Sequence, residues 1–195
     1  MIPRKRYLDN LALGSQIASI EGAIVECGVW RGGMIAGLAR TLGPERTYVL
    51  LDSFEGLPKA QAIDGPAALQ WQSDTSASAY LDNCSAELAE ATAAMKLAGI
   101  EDADMRKGWF EDTVPRFAAE LPNIALLRLD GDWYDSTMTC LVHLFPLVAT
   151  GGLIIIDDYG TYDGCNRALH RYLANADRPQ PIRSTPSGVA YIRKV

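Results

Sequence analysis

Two short apolar runs that each end in aspartates constrain this chain more than any other feature. Ile124-Ala125-Leu126-Leu127-Arg128-Leu129 closes on Asp130-Gly131-Asp132, and Leu153-Ile154-Ile155-Ile156 closes on Asp157-Asp158. Each run is too short for a helix and too continuously apolar for a strand with one wet face, so both suit the middle of a parallel sheet. In open α/β sheets the ligand crevice lies outside the carboxyl ends of the strands, and neighbouring strands are only about 4.8 Å apart. Acids ending two adjacent strands therefore converge, and their repulsion calls for a cation. An all-oxygen donor set favours Mg2+ or a similar hard ion over zinc.

The remaining pattern supplies an α/β alternation around these strands. Arg6 to Ile20 carries a helical apolar stripe within an N-terminal segment, residues 1–22. Ala23 to Val29 reads as a first strand, Arg31-Gly32-Gly33 as a turn into a helix ended by Gly43-Pro44, and Thr47 to Leu51 as a strand that stops at Asp52. That is one right-handed βαβ unit. Residues 53–75 hold Pro58, Gly65 and Pro66 with no sustained period and read as a lid loop. Ser76 to Ala98 has helical spacing, Met105 to Gly108 is a short strand, and Glu111 to Leu121 is a helix with Pro115 in its first turn. Ser136 or Asp135 can cap a helix running through Val148, closed by Gly151-Gly152, and a further helix covers Cys165 to Ala174. Ile182 to Thr185 and Val189 to Arg193 form a terminal hairpin. The expected fold is a single doubly wound, Rossmann-like α/β domain over residues 1–195, its sheet mostly parallel with an antiparallel C-terminal edge hairpin.

Composition narrows the partners. A formal net charge of -6 argues against a general nucleic-acid or anionic-membrane binder, which needs a basic face. Arg4-Lys5-Arg6 is the one basic cluster and reads as a solvated terminus. Asp9, Asn10, Gln16 and Glu21 interrupt any signal-peptide core. The cysteines Cys27, Cys84, Cys140 and Cys165 have no paired spacing, so reduced thiols in a cytoplasmic protein are expected.

Glu26-Cys27-Gly28-Val29-Trp30-Arg31-Gly32-Gly33 sits where such a sheet binds a nucleoside, with Asp52 ending the next strand where an acid commonly takes a ribose hydroxyl. The glycine spacing departs from the dinucleotide fingerprint, and no phosphate-loop lysine motif is present. An acid at Glu26 suits a cationic or hydroxyl-rich ligand better than a pyrophosphate, which favours S-adenosylmethionine over NAD.

These phrases, with Asp52-Ser53-Phe54-Glu55-Gly56-Leu57-Pro58, Gly108-Trp109-Phe110-Glu111-Asp112-Thr113-Val114-Pro115, Leu129 to Thr137 and Gly151 to Tyr159, resemble the macrocin O-methyltransferase family in order and through most of the chain. The resemblance implies Mg2+-dependent methylation of a sugar or natural-product hydroxyl by S-adenosylmethionine. It implies that Asp130, Asp157 and Asp158 are the metal carboxylates and that Asp130 is also the general base. It assigns Glu26, Gly28, Trp30, Asp52 and Ser53 to the amino-acid and ribose parts of the cofactor, and Gly108, Trp109, Phe110 and Glu111 to its adenine, with Asp130 beside it. The partner is a small-molecule hydroxyl acceptor, with no nucleic acid and no membrane, and a homo-oligomer is compatible with the pattern.

Methyl transfer from a sulfonium is an in-line displacement, so positioning supplies much of the acceleration. A carboxylate that accepts the hydroxyl proton and a cation that stabilises the developing oxyanion supply the rest. Two readings compete. One keeps the chemistry on a catechol or phenol, and the other is an NAD-dependent oxidoreductase on the same sheet. Asp132 reads as a turn acid, and His143 and His170 as packing or surface residues.

Overall fold

Seven strands form one sheet in the order β3-β2-β1-β4-β5-β7-β6, where β1 is Ala23–Cys27, β2 Tyr48–Asp52, β3 Asp104–Lys107, β4 Ile124–Leu129, β5 Val148–Ile156, β6 Ile182–Ser184 and β7 Ala190–Arg193. The computed structural model describes residues 2–121 and 123–195; Met1, first residue of the expected segment 1–22, lies outside them. β1 to β5 are parallel, and β7 pairs antiparallel with β5 and β6. The expected mostly parallel sheet with an antiparallel edge hairpin is what the chain forms.

Period-two alternation divides the buried residues between two helix layers. Val25, Cys27, Leu127, Leu129, Ile154 and Ile156 pack with Val114 and Phe117 of α5 (Phe110–Ala118), Leu141 and Leu144 of α6 (Tyr134–Leu144) and Leu169 of α7 (Asp163–Ala174). Ile24, Leu50, Leu126 and Ile155 face Leu13 of α1 (Arg4–Ser15), Ile35 and Leu38 of α2 (Gly33–Leu42) and Met95 of α4 (Leu88–Leu97). Among the described residues no helix is long and apolar enough to cross a membrane.

Several element boundaries differ from the sequence expectation, each for a local reason. The N-terminal helix starts earlier and stops at Ser15 rather than Ile20. Residues 53–75 are not a structureless loop. They contain a 3-10 turn, Ala62–Asp64, and helix α3, Pro66–Ser73, which Gly65-Pro66 starts with proline in the first turn. Only Leu88–Leu97 of the expected helix 76–98 forms, opened by a reciprocal Glu87 and Glu90 capping box. Upstream, the Ser85 hydroxyl donates to Asp82, a local bond that competes with a helix, and the Asn83 side chain donates to Leu57 O, which ties this stretch to a distant segment. Leu81, Asp82, Asn83 and Cys84 accordingly hold φ of 50°, 52°, 54° and 59°. Pro115 lies inside α5 rather than in its first turn. Helix α6 ends at Leu144 because Pro146 cannot donate the next helical bond, and Val148 and Gly151-Gly152 belong to β5.

Candidate functional site

The carboxyl edge of the sheet is a continuous row. The amides of Gly108, Gly28, Asp130 and Asp157 donate to Asp52 O, Leu51 O, Cys27 O and Leu129 O, each at 2.9 Å, so the ends of β3, β2, β1, β4 and β5 lie level. The chain reverses its winding direction between β1 and β4, the switch point at which open α/β sheets bind ligands. Gly28 sits there at φ 86°, so close to the Asp130 carbonyl that a Cβ would collide with it.

The glycine turn is clamped by an acid from the next strand. Val29 N and Trp30 N donate to Asp52 Oδ2 at 2.6 and 2.8 Å, and Phe54 N donates to Oδ1 at 2.7 Å. Asp52 thus fixes the turn as well as standing at the ribose position. The Ser53 hydroxyl accepts from Glu55 N and donates to Gly56 O, which ties it into its own turn. Trp30, at φ 49°, donates its indole N–H to Ser85 O at 3.1 Å.

Behind the turn lies an ion cluster that the sequence reading missed. Glu26 and Arg128 are register partners across β1 and β4, and Nη1 of Arg128 meets Glu26 Oε1 at 2.7 Å with both side chains buried. The same guanidinium reaches Asp130 at 2.8 Å and Asp157 at 2.7 Å. Glu26 Oε2 also accepts from Ile35 N, in the first turn of α2. Burial pushes the Glu26 carboxyl up to about 7 although Arg128 opposes the shift. The signal for Arg128 was present: it is the one charge inside the apolar run of β4, and a buried charge persists only when paired.

The carboxylates that come together are Asp130, Asp132 and Asp158, with one oxygen of each within 4.8 Å of the others. Asp132 amide donates to Asp158 Oδ2 at 2.9 Å, and Asp132 is held at φ 58°, strained for a residue with a Cβ. Asp157 borders the same cavity, but its Oδ1 is turned onto Arg128. Consecutive residues at a strand end point to opposite sides, so Asp157 and Asp158 have different neighbours. Burial, then neighbouring carboxylates, push Asp132 and Asp158 well above the usual carboxylate range. Asp130 is raised to about 6 by burial, with Arg128 opposing and Asp157 adding. Buried like charges that raise one another's proton affinity fit a divalent cation, and three carboxylate donors are hard ligands of the Mg2+ type.

A cavity of about 530 Å3 joins these groups. Glu26, Gly28, Trp30, Asp52 and Ser53 line it, as do Trp109, Phe110 and Glu111 at the start of α5, while Gly108 shapes the bend before them at φ 144°. Its size and mixed aromatic and acidic wall fit a nucleoside-sized cationic ligand. The opposite wall comes from residues 57–84, fastened from beneath. Asp64, buried, accepts from Tyr134 N at 2.7 Å and so caps α6, where the sequence suggested Ser136 or Asp135. Trp133, also buried, donates its indole N–H to Pro58 O at 2.9 Å and packs edge-on against Trp71 and Tyr162.

Comparison with known proteins agrees with this geometry. Residues 1–194 match the family model described as macrocin-O-methyltransferase (TylF). The 8-demethyl-8-(2,3-dimethoxy-alpha-L-rhamnosyl)-tetracenomycin-C 4'-O-methyltransferase of Streptomyces olivaceus is 35% identical over 195 residues, which is 93% of this chain and 70% of the relative. The mycinamicin III 3''-O-methyltransferase of Micromonospora griseorubida is 35% identical over 88% of this chain and 69% of its own length. Among solved structures the O-methyltransferase NovP superposes with a TM-score of 0.80 at 28% identity, covering 98% of this chain and 80% of NovP.

Proposed function

The chain belongs to the macrocin-O-methyltransferase family and is an O-methyltransferase; on that premise we propose that it transfers a methyl group from S-adenosylmethionine to a hydroxyl of a sugar or other natural product, with Mg2+ at the acid cluster. The observation that carries this reading is the meeting of Asp130, Asp132 and Asp158 one strand away from the clamped glycine turn. The rhamnosyl group in the name of the tetracenomycin relative supports a sugar hydroxyl as the acceptor.

Bound S-adenosylmethionine supplies a methyl group already activated by its sulfonium. Bound Mg2+, held by Asp130, Asp132 and Asp158, would supply positive charge where the acceptor oxygen becomes negative. The chain's own residues do the positioning. Glu26 offers its carboxylate to the donor's amine, and Asp52 stands at the ribose while holding the turn closed. Trp109 and Phe110 flank the adenine side. Together these walls hold donor and acceptor in line.

Asp130, whose carboxyl burial raises to about 6 in the metal-free protein, is the first candidate for the general base. Asp132 is a second candidate on a specific observation: no basic group lies within ion-pair reach of it among the described residues, whereas Asp130 shares Arg128. The acidic chain suits a small-molecule acceptor, and its four free thiols suit the cytoplasm.

Calorimetric titration with S-adenosylhomocysteine tests the cofactor, and labelled-methyl transfer to a panel of rhamnosides and phenols, with and without EDTA, tests acceptor and metal. No binding at high micromolar ligand rejects the donor assignment. Full activity in EDTA rejects the metal, and activity on phenols alone moves the acceptor to the catechol class.

A further inference from the structure

Three arginines stand in the cavity wall, Arg6, Arg31 and Arg128, and they differ in what neutralises them. Arg128 is taken up by Glu26, Asp130 and Asp157. Arg31 pairs with Glu90 at 3.3 Å and lies over the Trp30 ring. Arg6 has no carboxylate within ion-pair reach among the described residues; its side chain donates from Nε to Ser187 O at 3.4 Å. Asp9, the nearest acid along α1, is itself engaged by the Ser187 hydroxyl at 2.6 Å and the Ser187 amide at 3.2 Å.

The position of Arg6 is fixed by the fold. Tyr7 places its hydroxyl against Gly37 of α2, where no side chain would fit, and this seats the start of α1 on the helix that follows the glycine turn. On the other side, the 185–188 turn enters β7 at Ala190, the register partner of Ile156, so it lies at the same sheet edge as Asp157 and Asp158. Arg6 spans the gap between these supports, half-buried. A guanidinium presents its N–H donors as a planar fork suited to carboxylate or phosphate. With no acid of the chain opposite it, its complement is supplied by what the cavity holds.

We propose that Arg6 binds an anionic group of a ligand in this cavity, an inference that rests on the methyl-donor reading above. The chemistry has two sources. The methyl donor carries a carboxylate beside its amine, and that carboxylate needs a cation in a cavity whose other two arginines are already paired with acids of the chain. Alternatively, the acceptor carries a carboxylate or phosphate beyond the hydroxyl to be methylated.

Calorimetry on wild type and Arg6→Met distinguishes the sources. If the donor's carboxylate is the ligand, Arg6→Met weakens S-adenosylhomocysteine roughly tenfold and leaves its decarboxylated analogue unchanged. If the anion belongs to the acceptor, S-adenosylhomocysteine binding is unchanged, and inorganic pyrophosphate binding to the loaded protein in Mg2+-free buffer falls roughly tenfold. Arg6→Lys keeps part of either effect. No change with any of these probes overturns the proposal. Should Arg6→Met fail to fold, the wild-type contrast decides: equal affinity for S-adenosylhomocysteine and its decarboxylated analogue, with no pyrophosphate binding, also overturns it. A wild type that binds no S-adenosylhomocysteine rejects the methyl-donor reading itself, whereas an unaffected variant rejects only the role of Arg6.

Discussion

Glu26 on β1 and Arg128 on β4 face each other as register partners, their charges 2.7 Å apart and their side chains 1% and 2% exposed. Removing one partner of a buried pair leaves the other charge stranded, at a cost of about 3–5 kcal/mol. Arg128→Met should therefore lower stability by about that amount in urea unfolding. Adding Glu26→Gln should recover part of the loss, because the stranded carboxylate becomes neutral. A single Arg128→Met variant as stable as wild type would show that the pair is not what holds the two strands' ends.

Metal affinity should follow the observed geometry. Asp132→Asn and Asp158→Asn each remove a donor, and each should weaken Mg2+ binding by about tenfold or more in calorimetric titration. Asp157→Asn should have a smaller effect, since its Oδ1 is bound to Arg128. The opposite ranking would return Asp157 to the ligand set and make Asp132 a turn residue.

The central strands and the acidic edge were legible in the sequence because apolar continuity and terminal aspartates are local signals. Leu153 to Ile156 could hardly be anything but a buried strand, and Asp158 followed from it. Arg128 was harder, since its meaning depends on Glu26, which is distant in sequence and meets it only through register. Asp132 reads as an ordinary turn acid until Asp158, from another strand, is seen to accept its amide hydrogen bond. The expected lid loop 53–75 and helix 76–98 differ from the structure for a related reason. Asp64 caps a helix that begins at Tyr134, so the partner that organises the segment lies far along the chain.

The ion cluster makes stability depend on pH in a defined direction. Glu26 is raised from 4.5 to about 7 and Asp130 from 3.8 to about 6, so the folded state binds these protons more tightly than the unfolded chain. In the metal-free protein the contribution of these two groups is fully present below their unfolded values and is lost as pH climbs through about 4 to 7. The thermal midpoint should fall between about pH 5 and pH 8, and Mg2+ should raise it more at the higher pH, where the carboxylates are ionised. A midpoint that rises over this range without metal contradicts the assignment.

Trp133 should govern the wall formed by residues 57–84 without governing the donor site. Its indole N–H holds Pro58 O at 2.9 Å, and its ring packs 4.9 Å from Tyr162 and 6.2 Å from Trp71, centroid to centroid. Trp71, Leu57 and Tyr162 line the cavity, while Trp133 lies behind them. Trp133→Leu removes the hydrogen bond and both aromatic contacts, a loss of about 2 kcal/mol before relaxation. Because Gln72 and Asn83 tie the segment together internally, that loss should release it as a unit. Limited proteolysis should then cut within residues 57–84 sooner than in wild type. S-adenosylhomocysteine affinity should change less than about twofold, since Asp52 and the glycine turn keep their own bonds. The apparent KM for the acceptor should rise more than kcat falls, because the wall is loosened while the acid cluster stays in place. Equal loss of donor and acceptor binding would mean that Trp133 supports the whole domain rather than this wall.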